Sequence, residues 1–161
     1  MSAIDAGTHT PDFTWPAIDG KTYSLKDALA SGPVLVAFFK VSCPTCQFTL
    51  PFLDRAAQHF GCVWGVSQDD ERATRDFAKH FGVHFPLLLE DTDDYPTSNA
   101  YGLTHVPSIF LIGTNGAILE TCVGFGREDL LGMMAKLEML TGKKGFSLFK
   151  AGEDIPKFKS G

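Results

Sequence analysis

The sequence predicts an α/β domain in which a central mixed β-sheet is flanked by helices and preceded by an N-terminal β-hairpin extension. Three observations carry this reading. Val34-Leu35-Val36-Ala37-Phe38-Phe39 is an unbroken apolar, β-prone run, as expected of a strand buried on both faces of a sheet. From there to residue 89, strand-like and helix-like stretches alternate, the order that builds parallel strands joined by crossover helices. Residues 106–140 then read as two strands joined by an Asn-Gly turn and followed by a helix, so the sheet also takes antiparallel strands.

Pro11–Pro16 and Asp19–Leu25 are short extended pieces, and Asp19-Gly20 between them supplies positive φ at low cost. Ser24 is placed to cap a brief helix over Leu25–Ala30, which Gly32-Pro33 ends. Val34–Phe39 follows as the central strand. From Pro44 to about His59, Phe48, Phe52, Leu53, Ala56, Ala57 and Phe60 recur at helical spacing, with Pro51 removing one backbone donor inside the helix. Cys62–Val66 reads as the second strand, Asp69–Phe81 as the second main helix and Phe85–Leu89 as another extended piece. Glu90, Asp91, Asp93 and Asp94 are expected to form a solvated loop rather than a metal site. Val106–Ile112, the Thr114-Asn115-Gly116 turn and Ala117–Val123 make the late hairpin, and Glu128–Leu140 the closing helix. Beyond Thr141 a basic tail alternates Phe146, Leu148, Phe149, Ile155 and Phe158 with Lys, Gly and Pro. The expected division is therefore a domain over residues 1–141 and a tail over 142–161, packed on the domain or extending from it.

Composition narrows the function. A chain of 161 residues suits one domain, and 44% hydrophobic, 12% aromatic and 20% charged residues exclude a disordered polymer. A net charge of −5 provides no general footprint for phosphate backbones or anionic lipid, so neither nucleic acid nor a membrane surface is an expected partner. The longest apolar run falls far short of the ~20 residues of a spanning helix. Met1–Asp5 offer neither a basic start nor an apolar stretch of signal-peptide type, which points to the cytoplasm, or to the periplasm if an export segment precedes them. The chain is expected to act as a monomer.

Four cysteines, at 43, 46, 62 and 122, are too few for a disulfide-built mini-domain, yet two of them form Cys43-Pro44-Thr45-Cys46. Cys43 falls where a buried strand gives way to a helix, so its sulfur faces unsatisfied backbone N–H groups and the positive end of the helix dipole, which favour thiolate. Pro44 suits the first helical position, where its missing N–H has no partner to lose. Cys46 follows one turn later on the same face, close enough for a reversible bridge. Lys40, three residues before Cys43, is a candidate nearby cation, and His105 a candidate neighbour for binding or pKa tuning. Cys62 and Cys122, among apolar neighbours, read as inert buried thiols.

With the buried strand, Cys43-Pro44-Thr45-Cys46, the helix proline Pro51 and Val106-Pro107 ahead of a hairpin, the chain resembles the thioredoxin fold. The extended N-terminus, Gly65-Val66-Ser67-Gln68-Asp69-Asp70, Phe85-Pro86-Leu87 and Tyr101-Gly102-Leu103 further resemble its redoxin branch. That branch unites TlpA- and ResA-like oxidoreductases with the alkyl hydroperoxide reductase and thiol-specific antioxidant family. The resemblance covers roughly residues 8 to 140. It implies a cis Pro107 beside the cysteines and a backbone at Val106 that pairs with the substrate chain. The chain departs from the pattern in two ways. Ala37 stands in place of thioredoxin's buried acid and Ser42 in place of the tryptophan before the first cysteine, leaving Glu90 or Asp91 as candidate replacements for the acid. At two positions of the peroxiredoxin motif stand Val36 and Lys40, which cannot polarise a peroxide as that motif does.

The resulting reading is a thiol–disulfide oxidoreductase that reduces or exchanges disulfides in protein substrates and draws on a thiol reductant. Cys43 and Cys46 are catalytic, with Pro44, Thr45, Val106, Pro107, Lys40, Ser42 and His105 in support. It calls for no cofactor and no metal; His80 and His84 are separated by the helix-breaking Gly82 and lack two partner ligands at zinc spacing. Two alternatives stay open. One is a peroxiredoxin-like peroxidase with Cys43 peroxidatic, Cys46 resolving and Arg127 as a candidate peroxide-orienting group. The other is a redox-sensing binding module.

Overall fold

The computed structural model describes residues 4 and 6–161; of the segment read for a signal peptide, residues 1–3 and 5 lie outside the described residues. In chain order the elements are β1 (Thr14–Pro16), β2 (Thr22–Ser24), α1 (Leu25–Leu29), β3 (Val34–Phe39), α2 (Pro44–Phe60), β4 (Val63–Ser67), α3 (Glu71–Phe81), β5 (Leu87–Leu89), α4 (Pro96–Ala100), β6 (Ser108–Ile112), β7 (Ile118–Val123), β8 (Phe125–Gly126), α5 (Arg127–Thr141) and β9 (Phe158–Lys159). Three helices start on side chains that take an orphan backbone N–H: Ser24 Oγ from Asp27, Cys43 Sγ from Cys46 and Asp70 Oδ1 from Ala73. In the second case the cap is the cysteine expected to carry chemistry.

The main sheet has five strands in the order β5-β4-β3-β6-β7, with β3 in the centre. β3 runs parallel to β4 and antiparallel to β6, which makes the sheet mixed. Period-two alternation sorts β3 cleanly. Leu35, Ala37 and Phe39 face a core shared with Leu50 and Leu53 of α2, Phe77 of α3 and Met133 and Leu137 of α5. Val34, Val36 and Phe38 face a second core closed by Phe13, Leu25 and Tyr101, so the β1–β2 hairpin and α1 cover that face. Tyr101 fixes the extension, because its hydroxyl donates to the Pro11 carbonyl at 2.8 Å while its ring packs on Phe13 and Phe38.

Three features sharpen the sequence reading. The acidic stretch is not wholly solvated. Glu90 is 3% exposed and accepts hydrogen bonds from Ser98 N and Oγ, both at 2.6 Å, from the short helix α4. Cys62 stands just ahead of β4 and is half-buried, while Cys122 is buried in β7, with β3 and β6 between those two strands. The tail contains a strand: β9 pairs antiparallel with β8, joining Phe125 to Lys159 and Gly126 to Phe158. Among the described residues no helix is long and apolar enough to cross a membrane.

Candidate active site

Strand β3 ends at Phe39, a short turn follows, and Cys43 opens α2 in extended conformation (φ −81°, ψ 116°). Its sulfur accepts the Cys46 backbone N–H at 3.2 Å, so the helix terminus directs one of its free donors at it. From the other side Sγ lies 3.5 Å from the Val106 carbonyl oxygen, to which the thiol donates. Both contacts can hold in one rotamer, the carbonyl serving the protonated sulfur and the amide the charged one. Cys43 is half-buried and Cys46 is fully buried, and all four cysteines are free.

Burial pushes the Cys46 thiol well up, and its hydrogen bond with Cys43 pushes it further. The negative charge of Asp69 adds to the rise. The carboxylate whose charge reaches Cys46 is thus Asp69, whereas Glu90 and Asp91 are engaged with other partners. Both Glu90 oxygens are held by Ser98, and exposed Asp91 accepts the Asp93 N–H. Asp69 Oδ2 also accepts the Val41 N–H at 2.8 Å, and Gln47 Nε2 donates to the Val41 carbonyl at 2.9 Å. Together they brace the turn that carries Cys43. Neither residue stood out as a functional candidate in the sequence, because nothing local ties residue 69 to residue 41.

The remaining candidates fall into two groups. Lys40, Val106 and His105 line one cleft of about 330 Å³ with Gln68 and Gly161. Lys40 and His105 are both exposed, and Thr104 Oγ1 sits 3.0 Å from the His105 ring. The Val106–Pro107 bond is cis, and the Pro107 carbonyl accepts the Gly124 N–H at 2.7 Å. Pro44 and Ser42 are exposed beside Cys43 and line no part of this cleft, while Thr45 is buried and donates from Oγ1 to the Ser160 carbonyl at 2.6 Å. A separate cavity of about 520 Å³ lies against α1 between His9, Lys26 and Asn115, and no cysteine lines it.

Two residues kept in view for other chemistry are engaged elsewhere. The Arg127 guanidinium donates to the Ile155 carbonyl at 3.1 Å and so is tied to the tail. His84 Nδ1 lies 3.0 Å from the Asp54 carboxylate. Cys122 is held up at about 11 by burial, and burial also raises Cys62, so neither offers a ready thiolate.

Comparison with known proteins follows this geometry. The model of the AhpC/TSA family matches residues 6–121. The thiol-disulfide oxidoreductase ResA of Bacillus subtilis is 26% identical over 134 residues, covering 80% of this chain and 73% of that protein. A solved structure of a proposed thiol:disulfide interchange protein, DsbE, from Chlorobium tepidum superposes with a TM-score of 0.73 at 25% identity, covering 84% of this chain and 99% of the other. A proposed protein disulfide isomerase from Bacteroides thetaiotaomicron superposes with a TM-score of 0.78 at 23% identity, covering 88% and 95%.

Proposed function

We propose that this chain, which belongs to the AhpC/TSA family, is a thiol–disulfide oxidoreductase whose working unit is the Cys43/Cys46 pair. The observation that carries the reading is the difference between the two sulfurs. One is half-exposed at a helix start with an N–H aimed at it, and the other is buried directly behind it with its proton held tightly.

Cys43 thiolate attacks one sulfur of a substrate disulfide, forming a mixed disulfide and expelling the other sulfur as a thiolate that takes up a proton. Cys46 then loses its proton and attacks Cys43 Sγ. The mixed bond breaks, the second substrate thiol leaves, and the Cys43–Cys46 bridge holds the oxidising equivalents, two electrons having passed to the substrate. An external thiol reductant restores the pair. In a reducing space such as the cytoplasm the cycle runs in this direction; in an oxidising space it runs in reverse. Both protein sulfurs of these steps belong to one chain and lie within the proposed domain over residues 1–141, so the cycle fits a monomer. Protein disulfides fit as substrates because the Val106 backbone edge and its cleft lie beside Cys43.

The test is reduction of insulin by dithiothreitol in the presence of the wild-type chain, Cys43→Ser and Cys46→Ser, with peroxide consumption followed in the same preparations. The expected result is turnover by the wild type, none by Cys43→Ser, and accumulation of mixed disulfide by Cys46→Ser. Rapid peroxide consumption with negligible insulin reduction would replace this reading with the peroxidase.

A further inference from the structure

Residues 142–161 wrap back to the cysteines along an ordered path. Leu148 is 1% exposed in the core behind α2. Arg55 of α2 holds the chain next, donating to the Leu148 carbonyl and to both Glu153 oxygens at 2.8 and 2.7 Å. Arg127 then takes the Ile155 carbonyl through its side chain and the Lys157 carbonyl through its backbone N–H. β9 aligns on β8, and the Lys159 ammonium sits 5.2 Å from the centre of the Phe48 ring.

Residues 160 and 161 lie against two neighbours of the attacking sulfur. Ser160 accepts from Thr45, inside the Cys-Pro-Thr-Cys turn, and Gly161 lies against the Val106 carbonyl, the group that Cys43 Sγ contacts. Two glycines make the fit possible. A Cβ on Gly124, which has φ +77°, would stand 2.6 Å from the Lys159 carbonyl, and any Cβ on Gly161 would overlap the Val106 oxygen. A protein disulfide whose sulfur reaches Cys43 carries backbone on either side, and that backbone needs the space that Ser160 and Gly161 occupy.

We infer that residues 158–161 form a displaceable strap that discriminates between substrates, admitting small disulfides to Cys43 directly and requiring a polypeptide to take the strap's place. The inference rests on Cys43 as the attacking thiol. The strap is built to leave: residues 158–161 are exposed, and β8–β9 pairing spans only two residues on each side. Upstream, Arg55 and Leu148 anchor the segment, so residues 158–161 can lift off without unfolding the domain. A strap that is closed nine-tenths of the time raises the apparent KM for a competing chain ~10-fold and leaves kcat alone.

The test compares the full chain, a chain ending at Lys157, and full-length Gly161→Val, whose added side chain cannot lie against the Val106 carbonyl. Three readouts are taken: labelling of Cys43 by a bulky maleimide, KM and kcat for insulin, and turnover of hydroxyethyl disulfide. The shortened chain should label several-fold faster and show a roughly tenfold lower KM for insulin, with kcat and hydroxyethyl disulfide turnover within twofold of the full chain. Gly161→Val should move the same way and guards against a folding defect in the shortened chain. Unchanged labelling and unchanged KM in both variants would overturn the strap. If no chain reduces either disulfide, the oxidoreductase reading fails, and the labelling rates still decide whether the strap covers Cys43.

Discussion

Replacing one cysteine of the pair at a time should give two chains of very different reactivity. In Cys46→Ser the backbone N–H that points at Cys43 Sγ is retained, so Cys43 keeps its helix-start donor and its partial exposure. In Cys43→Ser the remaining sulfur, Cys46, has no accessible surface, and its pKa stays above the ordinary thiol value of 9.0 because burial persists. At that ordinary value only about 1% of a thiol is ionised at pH 7, and each further unit removes a factor of about 10. The greater nucleophilicity of a more basic thiolate returns a factor of about 3 per unit. Burial slows attack again, because the start of α2 must open before a reagent reaches the sulfur. Together these predict that iodoacetamide alkylates Cys46 in Cys43→Ser at least ~10-fold more slowly than Cys43 in Cys46→Ser at pH 7. The labelled residue is identified by peptide mass spectrometry, since Cys62 and Cys122 are present in both. Equal rates, or a faster Cys46, would refute the assignment of the outer, attacking sulfur to Cys43.

Three further outcomes are expected. Asp54, 5% exposed on α2, receives His84 N at 2.6 Å and Gln58 Nε2 at 2.9 Å, so Asp54→Ala should remove about 2–3 kcal/mol and lower Tm by about 5–10 °C; a Tm within 1 °C of wild type would contradict this. Hydrogen bonds from Arg55 and the Lys150 N–H hold the Glu153 carboxyl down at about 2, against 4.5 ordinarily. A depressed carboxylate stabilises its contact fully above the unfolded value and loses that contribution as pH falls through the folded one. The Glu153 side-chain carboxyl resonance should therefore titrate with its midpoint at about 2 rather than at the ordinary 4.5; a midpoint at 4.5 would contradict the contact with Arg55 and Lys150. Phe125, with no accessible surface and ring contacts to Phe48, Phe52 and Phe149, should cost about 3–5 kcal/mol as Phe125→Ala, seen as a Tm fall of about 10 °C. A fall of less than 2 °C would mean the site collapses around the lost ring.

The elements legible in the sequence are those decided locally. Val34–Phe39 is a strand to the residue, because six consecutive apolar side chains have to be buried on two faces. Pro44 and the spacing of Phe48, Leu53 and Phe60 place α2 and set both cysteines at its start. What escaped depends on partners distant in the chain. Glu90 belongs to an acidic run, and only Ser98 on α4 makes it a buried acceptor; α4 itself follows Tyr95, which has φ +48° and gives no capping side-chain hydrogen bond. Asp69 reaches the turn ahead of Cys43 through Val41, a contact between two loops at the sheet end. The closing strand has two residues and no period to read, and its place beside Cys43 comes from Arg55, Arg127 and two glycines that make room for it.

The most direct test of the central claim is a redox titration of the wild-type chain in glutathione buffers, with the bonded residues mapped by mass spectrometry at each point. A working dithiol pair predicts a single two-electron transition, a tenfold change in oxidised-to-reduced ratio for about every 30 mV, in which only the Cys43–Cys46 bridge appears while Cys62 and Cys122 stay reduced. A bridge between any other cysteines, or oxidation of Cys43 to mixed disulfide with glutathione and no closure by Cys46, would contradict it.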